Sequence, residues 1–250
     1  MGSTLKPASE QVMVLTGAPS AVGLCTAQMA AWLGARVVLM SRNQQMLDSL
    51  AGLIASCGGQ AMAIAADVRV RSQLEAAARA AIGRFGRIDT WINNGSVSLY
   101  GRLDEVSDAD SRRLFDVNFW GVVNGSLVAL PYLAASGGSL INVGSELGEA
   151  AAPWQGMYSS SKCAVKGFTE ALRLEAQQTE GSPVSVTLIQ PAVADTGVSA
   201  DPVTVAEAIL AAACGASLEA QRGGAPGQQP SGASFPRGPH QPQAPATLRF

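Results

Sequence analysis

The fold is decided by residues 12–23, which read VMVLTGAPSAVG. The stretch opens with four apolar residues and no polar alternation, the pattern of a strand buried on both faces of a sheet. Gly17 and Gly23 frame the turn that follows, and a helix is predicted from about Val22 to Leu33. Glycines in such a turn let the backbone approach a pyrophosphate, whose charge the helix N-terminus attracts. The spacing alone also fits an ordinary strand–helix turn.

Outward from this stretch, short apolar runs alternate with longer segments of helical periodicity. Strict alternation predicts parallel strands joined by right-handed helical crossovers, and therefore a single doubly wound, Rossmann-like α/β sheet. The predicted strands are residues 12–15, 36–40, 61–66, 88–92, 140–143 and 184–189. The predicted helices are residues 22–33, 44–56, 71–84 and 108–134, a helix that carries Tyr158 and Lys162, and residues 203–214.

The composition of the chain changes near residue 223. Residues 1–222 are long enough for one α/β domain with a sizeable core. From about Gly223 onward Gly, Pro, Gln and Ala dominate, so residues 223–250 are predicted to form a disordered tail. A seventh strand is hard to find in the sequence, and Ser217 to Arg222 is a poor candidate for it.

Charge, cysteine and histidine content exclude several classes of function. The formal net charge is -2 without a basic block, which argues against a nucleic-acid surface. The four cysteines are scattered, so neither a metal site nor a disulfide is predicted. The single histidine, His240, lies in the tail, which leaves a Ser-His-Asp hydrolase without its base. With no secretion signal and no apolar run long enough to span a bilayer, a cytoplasmic protein without membrane contact is expected.

Tyr158 and Lys162 form the most suggestive pair of side chains. Four residues apart on a predicted helix, they share one face. A free tyrosine has a pKa of about 10, and a nearby ammonium would lower that pKa by favouring the phenolate. The pair could therefore be a tuned proton donor, although the same spacing also fits a surface pair.

Ser41 and Arg42 end the second predicted strand, where a dinucleotide fold meets the adenosine ribose. An acidic residue there would bind a free 2′-hydroxyl, whereas an arginine pairs with a 2′-phosphate. Arg42 therefore favours NADP(H) over NAD(H), the alternative being a solvated arginine at a strand end.

Taken in order, these landmarks resemble the short-chain dehydrogenase/reductase family over about Val12 to Cys214. Each lies at the expected strand end or helix, and together they make a chance match improbable. They are the Thr16–Gly23 turn, Asp67, Asn93–Ser96, Asn118, Ser145 thirteen residues before the tyrosine, Tyr158 with Lys162, and Pro191-Ala192 followed by Thr196.

The resemblance implies a role for each matching residue. Those at the cofactor would be Gly17, Ser20, Val22 and Gly23 at the pyrophosphate, Asp67 and Val68 at the adenine, Asn94, Gly95 and Ser96 along the cleft, and Pro191, Val193 and Thr196 at the nicotinamide. In catalysis, Ser145 would hydrogen-bond the substrate carbonyl oxygen and Tyr158 would exchange a proton with it. Lys162 would lower the tyrosine pKa and grip the nicotinamide ribose, and Asn118 would hold a water that links Lys162 to solvent.

The sequence also departs from the family pattern. Ala21 replaces a turn glycine, Gly95-Ser96 replaces Ala-Gly, and Ala192 follows Pro191 where glycine is usual. The methyl group of Ala21 or Ala192 would crowd the cofactor if the backbone needed a positive φ there. The flap after Thr196 is short, so an open pocket is expected. Around that pocket Trp154, Gln155 and Met157 are candidate lining residues, and Glu146 and Glu149 would make an acidic rim.

Two functions remain open from the sequence. The first is an oxidoreductase that transfers a hydride between NADP(H) and a small-molecule carbonyl or alcohol. The second is a dinucleotide-binding member of the same fold whose catalysis is weak or lost and which acts as a binding or interaction module. The family resemblance also implies a homodimer or homotetramer assembled through the 108–134 helix and the Tyr158 helix.

Overall fold

The computed structural model describes residues 5–178, 184–192, 200–215 and 247–249. Within these ranges the strands are β1 Val12–Thr16, β2 Arg36–Ser41, β3 Gln60–Ala65, β4 Thr90–Asn93, β5 Ser98–Tyr100, β6 Ser139–Val143, β7 Ser185–Ile189 and β8 Thr247–Arg249. The α-helices are α1 Ala21–Trp32, α2 Gln44–Ser56, α3 Arg71–Phe85, α4 Asp108–Phe115, α5 Gly121–Ser136, α6 Gly156–Gln178 and α7 Pro202–Ala213.

Six of the strands form one parallel sheet in the order β3-β2-β1-β4-β6-β7. β1 lies inside the sheet, where Val14 pairs with Val38 of β2 on one side and with Trp91 of β4 on the other. All residues of β1 are buried, as expected for a strand covered on both faces. The predicted doubly wound parallel sheet is confirmed, and each of its strands begins and ends within two residues of the expected bounds.

Helices cover both faces of this sheet. Alternate residues of β1 point to opposite faces, so Met13 and Leu15 enter one apolar cluster while Val12 and Val14 enter the other. The first cluster contains side chains of α1, α2 and α7, among them Ala27, Leu47 and Ile209. The second contains side chains of α3, α5 and α6, among them Leu74, Leu133 and Leu172. The two layers fix the carboxyl ends of the strands along one edge, where the predicted site residues lie.

Two short strands were not predicted from the sequence. β5 pairs antiparallel with β8 in the register Ser98↔Arg249, Leu99↔Leu248 and Tyr100↔Thr247. Residues 247–249 therefore form a strand inside the segment predicted to be a disordered tail. The rest of that tail, residues 223–246 and 250, and the candidate strand at 217–222 lie outside the described residues.

The predicted helix at 108–134 is present as α4, a π-helical turn at Asp116–Trp120, and α5. An 18-residue window of this 29-residue segment has a mean hydropathy of 1.2, so by length and composition the segment could cross a membrane, contrary to the expectation that no segment could. Its side chains pack inside the domain instead: Leu114, Val128 and Leu133 are buried in the apolar clusters. This packing is that of a core helix.

Candidate active site

A cavity of about 340 Å³ opens at the carboxyl edge of the sheet. Its wall is built by the first turn of α1, the loop after β4, β5, the end of β6, the start of α6, and the residues after β7. Eight of the predicted site residues line it, namely Ser20, Val22, Asn94, Ser96, Ser145, Tyr158, Lys162 and Pro191. Residues far apart in the sequence thus meet at the edge where doubly wound sheets bind ligands.

The turn between β1 and α1 is as tight as its glycines suggest. Gly17 has a φ of 66°, in the left-handed region that favours glycine. A β-carbon built on Gly17 would lie 2.7 Å from the Cα of Gly95, so the two loops touch backbone to backbone. Gly23 packs against the carbonyl oxygens of Gly17 and Ala18, which leaves it equally little room. The turn therefore brings the N-terminus of α1 directly to the cavity.

Thr16 and Asn94 lock this turn to the loop after β4. The Thr16 hydroxyl oxygen accepts from the backbone N–H groups of Asn94 and Gly95 at 3.0 and 3.1 Å. The Asn94 amide donates to the carbonyl oxygens of Thr16 and Gly17, both at 3.2 Å, and to Ser20 Oγ at 3.1 Å. Asn94 is therefore a positioning residue for the turn. Thr16 was not a predicted site residue, although it belongs to the decisive stretch.

The N-terminus of α1 fits a dinucleotide phosphate. Ser20 caps the helix by accepting from the Gly23 N–H at 3.1 Å, and its neighbours Ala21 and Val22 line the cavity. A helix N-terminus carries partial positive charge and free N–H groups, which suits an anion. Within the described ranges Trp154 is the one non-glycine residue with positive φ. Ala21 and Ala192 therefore sit without the strain that their methyl groups would cause at positive φ.

Tyr158 is largely buried beside Ser145. Burial raises the pKa of Tyr158, while hydrogen bonds with the side chains of Ser145 and Ser96 act in the opposite direction. The Lys162 Nζ lies 5.6 Å from the centroid of the Tyr158 ring. The net shift of the Tyr158 pKa is upward because desolvation of the phenol outweighs these hydrogen bonds, and a lowering of that pKa by Lys162 stays a prediction. The phenol is held protonated, in the form that can donate.

Lys162 is almost fully buried, at 3% exposure. Its ammonium donates to the carbonyl oxygen of Val143 at 3.1 Å, at the end of β6. Burial lowers the Lys162 pKa from 10.5 to about 8, because the charged form loses its hydration. Val143 was not among the predicted site residues, since a backbone carbonyl partner leaves no mark in the sequence.

Asn118 lies in the π-helical turn and is completely buried. Its amide donates to the Val97 carbonyl oxygen at 2.9 Å and to Ser161 Oγ at 3.2 Å. Its Oδ1 accepts from the Val97 N–H at 2.8 Å and from the Ser96 hydroxyl at 3.2 Å. These bonds use both donors and both lone pairs of the amide, so the side chain has no group left to hold the predicted water. In this structure the Asn118 side chain positions the Ser96–Val97 loop.

The residues predicted at the adenosine lie at the ends of β2 and β3. Arg42 is exposed, and its charge helps to lower the pKa of Asp67. The larger cause is Arg69, whose guanidinium hydrogen-bonds Asp67 and forms an ion pair with it at 2.6 Å. Val68 packs against Gly121, where a β-carbon would lie 2.7 Å from Val68 Cγ2. Because Arg69 neutralises Asp67, the Asp67 carboxylate is a weak obstacle to an anion near Arg42.

The remaining predictions around the pocket have mixed outcomes. Gln155 lines the cavity, whereas Trp154 is exposed outside the described wall and Met157 packs in the cluster formed by Val97, Leu99 and Leu114. Glu146 and Glu149 do not line the cavity, and Glu149 pairs with Lys166 at 2.8 Å, so the expected acidic rim is wrong for the described wall. The hydroxyl of Ser41 accepts from the Asn43 N–H at 3.2 Å, at the start of α2.

The predicted nicotinamide contacts and flap are only partly covered. Pro191 and Ala192 line the cavity, whereas Val193, Thr196 and residues 197–199 of the predicted short flap lie outside the described residues. The Ala200 N–H donates to the Ala192 carbonyl oxygen at 3.0 Å, so the two ends of that segment meet.

Comparison with known proteins agrees with this geometry. The profile of the short chain dehydrogenase family matches residues 11–204. The chain belongs to the short-chain dehydrogenase family. The match covers every strand of the parallel sheet together with Ser145, Tyr158 and Lys162.

Two proteins named as uncharacterized oxidoreductases are similar to the chain over comparable ranges. It is 44% identical to the uncharacterized oxidoreductase YxnA of Bacillus subtilis over 77% of this chain and 54% of YxnA. It is 31% identical to the uncharacterized oxidoreductase Lmo0432 of Listeria monocytogenes over 74% of this chain and 75% of Lmo0432. The chain thus spans about half the length of YxnA.

Two solved short-chain dehydrogenase structures carry different cofactors. A protein from Burkholderia phymatum in complex with NAD superposes with a TM-score of 0.70 at 32% identity, over 73% of this chain and 65% of that one. A metagenomic short-chain oxidoreductase in complex with NADP superposes with a TM-score of 0.72 at 28% identity, over 83% and 90%. Because one structure contains NAD and the other NADP, a preference of this chain for either cofactor has to be argued from its own residues.

Proposed function

We propose that the protein is an NADP(H)-dependent oxidoreductase that interconverts a small-molecule carbonyl compound and the corresponding alcohol. The observation that carries the proposal is the meeting of Ser145, Tyr158 and Lys162 in one cavity that begins at the N-terminus of α1. A carbonyl site and a phosphate site thereby share one opening. The short-chain dehydrogenase relatives named as oxidoreductases support the same class of reaction.

Ser145, Tyr158 and Lys162 have different roles at the carbonyl oxygen. The reduced nicotinamide, when bound, supplies a hydride to the carbonyl carbon. Ser145 donates a hydrogen bond to the carbonyl oxygen as negative charge develops on it. Tyr158 gives that oxygen the proton that completes the alcohol, and the buried ammonium of Lys162 stabilises the phenolate that results. One hydride and one proton are added in reduction, and the reverse transfers occur in oxidation.

In this proposal the cofactor binds along the carboxyl edge of the sheet, with its adenosine half at the ends of β1 to β3. The N-terminal turn of α1, formed by Gly17, Ser20, Val22 and Gly23, would hold the pyrophosphate. Asp67 and Val68 would flank the adenine, and Gly95 and Ser96 would border the cleft. Pro191, Val193 and Thr196 would lie at the nicotinamide. Ser41 and Arg42 at the end of β2 would receive the 2′-phosphate that distinguishes NADP(H) from NAD(H).

The cofactor preference gives a direct prediction. NADPH will bind more tightly than NADH, and Arg42→Ala will weaken NADPH binding by about 10- to 100-fold, since a charge-assisted contact to a phosphate is lost. NADH binding will change little. Calorimetry with each nucleotide measures both affinities.

Arg79→Ala is the matched control, because Arg79 is an exposed arginine on α3 and its loss removes the same charge. Equal affinities for NADPH and NADH in the unmutated protein would refute the assignment of Arg42. So would an equal loss in the Arg79 variant, which would point to net charge alone.

The proposed reaction is tested by a panel of ketones and aldehydes with NADPH, followed at the nicotinamide absorbance. Turnover of at least one carbonyl, lost when Tyr158 is replaced, is the expected result. If the protein binds NADPH but turns over nothing on a broad panel, the binding-module hypothesis takes its place.

We also propose that the protein assembles through α5 and α6 as a homodimer or homotetramer in the cytoplasm. Trp120, just before α5, and Leu127 within it are 53% and 37% exposed and lie seven residues apart, on one helix face. A cavity of about 470 Å³ lies beside this face, with Trp120 and Asn124 in its wall. All four cysteines are free thiols, which suits a reducing compartment. A monomer by light scattering at micromolar concentration would exclude the assembly.

A further inference from the structure

Three large apolar side chains stand exposed on the two loops next to the cavity wall. They are Tyr100, Leu103 and Trp154, at 44%, 69% and 66% exposure, and are called the apolar rim below. Of the three, Tyr100 lines the cavity together with Ser145 and Tyr158, and Trp154 directly precedes Gln155, which is also in the wall. Exposed apolar groups cost solvation free energy, and a cluster of them beside a site indicates a surface that binds something apolar.

The rim is held together by contacts between two loops. The Gly101 N–H, next to Tyr100, donates to the carbonyl oxygen of Trp154 at 2.9 Å. Leu103 lies against Gly156, where a β-carbon would come within 2.7 Å of Leu103 Cδ2. Both loops are therefore fixed to the start of α6, the helix that carries Tyr158. On the other side, β5 is paired with β8.

The backbone of Trp154 is strained. Its φ is 61°, in the left-handed region, where a side chain costs about 1–2 kcal/mol relative to glycine. For a bulky residue this conformation is an outlier, and such strain concentrates where ligands bind. A glycine would satisfy the backbone at this position without cost. The indole is thus present at the expense of stability, which points to a use other than folding.

The charges near the rim offer little to a charged substrate. Among the cavity-wall residues that the structure describes, Lys162 is the one formally charged group, and its ammonium donates to the Val143 carbonyl oxygen. Outside the cavity, Arg102 pairs with Asp104 at 3.0 Å, which satisfies both of these charges. Polar groups inside the cavity and apolar groups on the loops beside it match a molecule with a carbonyl at one end and an apolar substituent at the other.

We propose that the apolar rim binds the larger, apolar substituent of the carbonyl substrate, so that the protein acts on ketones or aldehydes that carry a bulky alicyclic, aromatic or long alkyl group. This inference rests on the proposed function and names the substrate class for the same site. Trp154 is the specificity-determining residue, and Leu103 and Tyr100 complete the surface.

The test compares three ketones with NADPH: acetone, levulinate and cyclohexyl methyl ketone. For the unmutated protein, kcat/KM for cyclohexyl methyl ketone will exceed that for acetone by about ten-fold or more, the effect of burying one large apolar group. Levulinate, which is extended but charged, will be no better than acetone. Equal kcat/KM values for the three ketones would overturn the proposal.

Trp154→Ala and Trp154→Gly separate the side chain from its strained backbone. Both will lose the preference for cyclohexyl methyl ketone and keep turnover of acetone. Trp154→Gly will also raise the midpoint of thermal unfolding above that of Trp154→Ala, because glycine alone adopts this φ freely. A parallel loss on acetone and on cyclohexyl methyl ketone would show a structural role only, and an unchanged preference would show that the indole does not bind substrate.

Trp32→Ala is the matched control, since Trp32 is 86% exposed at the C-terminal end of α1, about 16 Å along the helix from the cavity. It will leave the ketone preference unchanged. Direct binding of cyclohexyl methyl ketone, measured by calorimetry, separates this inference from the proposed function. Binding that depends on Trp154 without turnover of any carbonyl would support the apolar rim as a binding surface and refute the oxidoreductase function. Turnover without a ketone preference would support the oxidoreductase function and refute the role of the rim.

Discussion

Replacing Tyr158 by phenylalanine is expected to lower carbonyl reduction by about a thousandfold, the size of effect that a proton donor in the transition state supplies. The substitution removes one hydroxyl and keeps the ring against Val97, Leu99 and Leu114, so the fold and NADPH binding will be retained. Burial raises the Tyr158 pKa, so the phenol remains a proton donor throughout the neutral range. Stopped-flow measurement of single-turnover reduction isolates the chemical step from product release.

Tyr132→Phe is the control for the loss of a phenol, because Tyr132 is a half-buried tyrosine on α5 that packs in the second apolar cluster. It will leave turnover unchanged. Reduction that persists in the Tyr158 variant at more than a tenth of the parental rate would mean that another group delivers the proton. The assignment of the site to carbonyl chemistry would then have to be abandoned.

Replacing Lys162 by methionine is expected to reduce turnover by about a hundredfold or more and to stabilise the cofactor-free fold. Turnover falls because the phenolate of Tyr158 loses its neighbouring charge. Stability rises because an ammonium at 3% exposure is replaced by an apolar side chain of similar shape. Opposite changes in activity and in the free energy of unfolding are the signature of a residue kept for function.

The same residue predicts a pH dependence of stability. The Lys162 pKa is about 8 in the folded protein against 10.5 as the ordinary value, so between these values the unfolded chain binds more protons. The free energy of unfolding will therefore rise from pH 8 to 10, by up to about 3 kcal/mol from this group. Above pH 10 the raised pKa of Tyr158 acts in the opposite direction, since the folded state then holds the extra proton.

Urea unfolding at pH 7, 8, 9 and 10 measures this rise, and Lys162→Met will lack it. Lys166→Met is the matched control four residues further along α6, because Lys166 is only partly buried and pairs with Glu149. Its variant will keep the rise. If the parent and the Lys162 variant show the same pH profile, the buried ammonium is not the group that titrates.

The parts of the fold that follow from periodicity can be predicted from the sequence. β1 is a run of apolar residues because both of its faces are covered, and Gly17 and Gly23 mark a turn that leaves no room for a β-carbon. β5 gives no such signal. It is three residues long, it combines Ser98, Leu99 and Tyr100, and its partner Thr247–Arg249 is about 150 residues away in the chain.

The pKa shifts of the site residues are harder to predict from the sequence than the list of residues that form the site. The spacing of Tyr158 and Lys162 places them together, but only the folded structure shows that burial dominates both pKa values. The acceptor for Lys162 is a main-chain oxygen, and Trp154, whose φ is positive, is joined to Gly101 by a main-chain hydrogen bond. Neither depends on a recognisable side-chain pattern. Asn118 is detectable as an amide in an apolar helix, yet its four partners come from the Ser96–Val97 loop and from α6.

The π-helical turn at Asp116–Trp120 bears on how this chain can change in length. A π turn holds one more residue than an α turn does, so deleting one of the five would let this segment close into regular α geometry with little change in the facing of the helix beyond it. α5 would keep Val128 and Leu133 against the sheet, although the wider turn from which Asn118 reaches the Ser96–Val97 loop would be lost. Deleting one residue of the regular helix α5 would instead rotate everything downstream by about 100° about the helix axis and carry Leu133 away from the sheet. A one-codon loss should therefore disturb the fold far less at this turn than within α5.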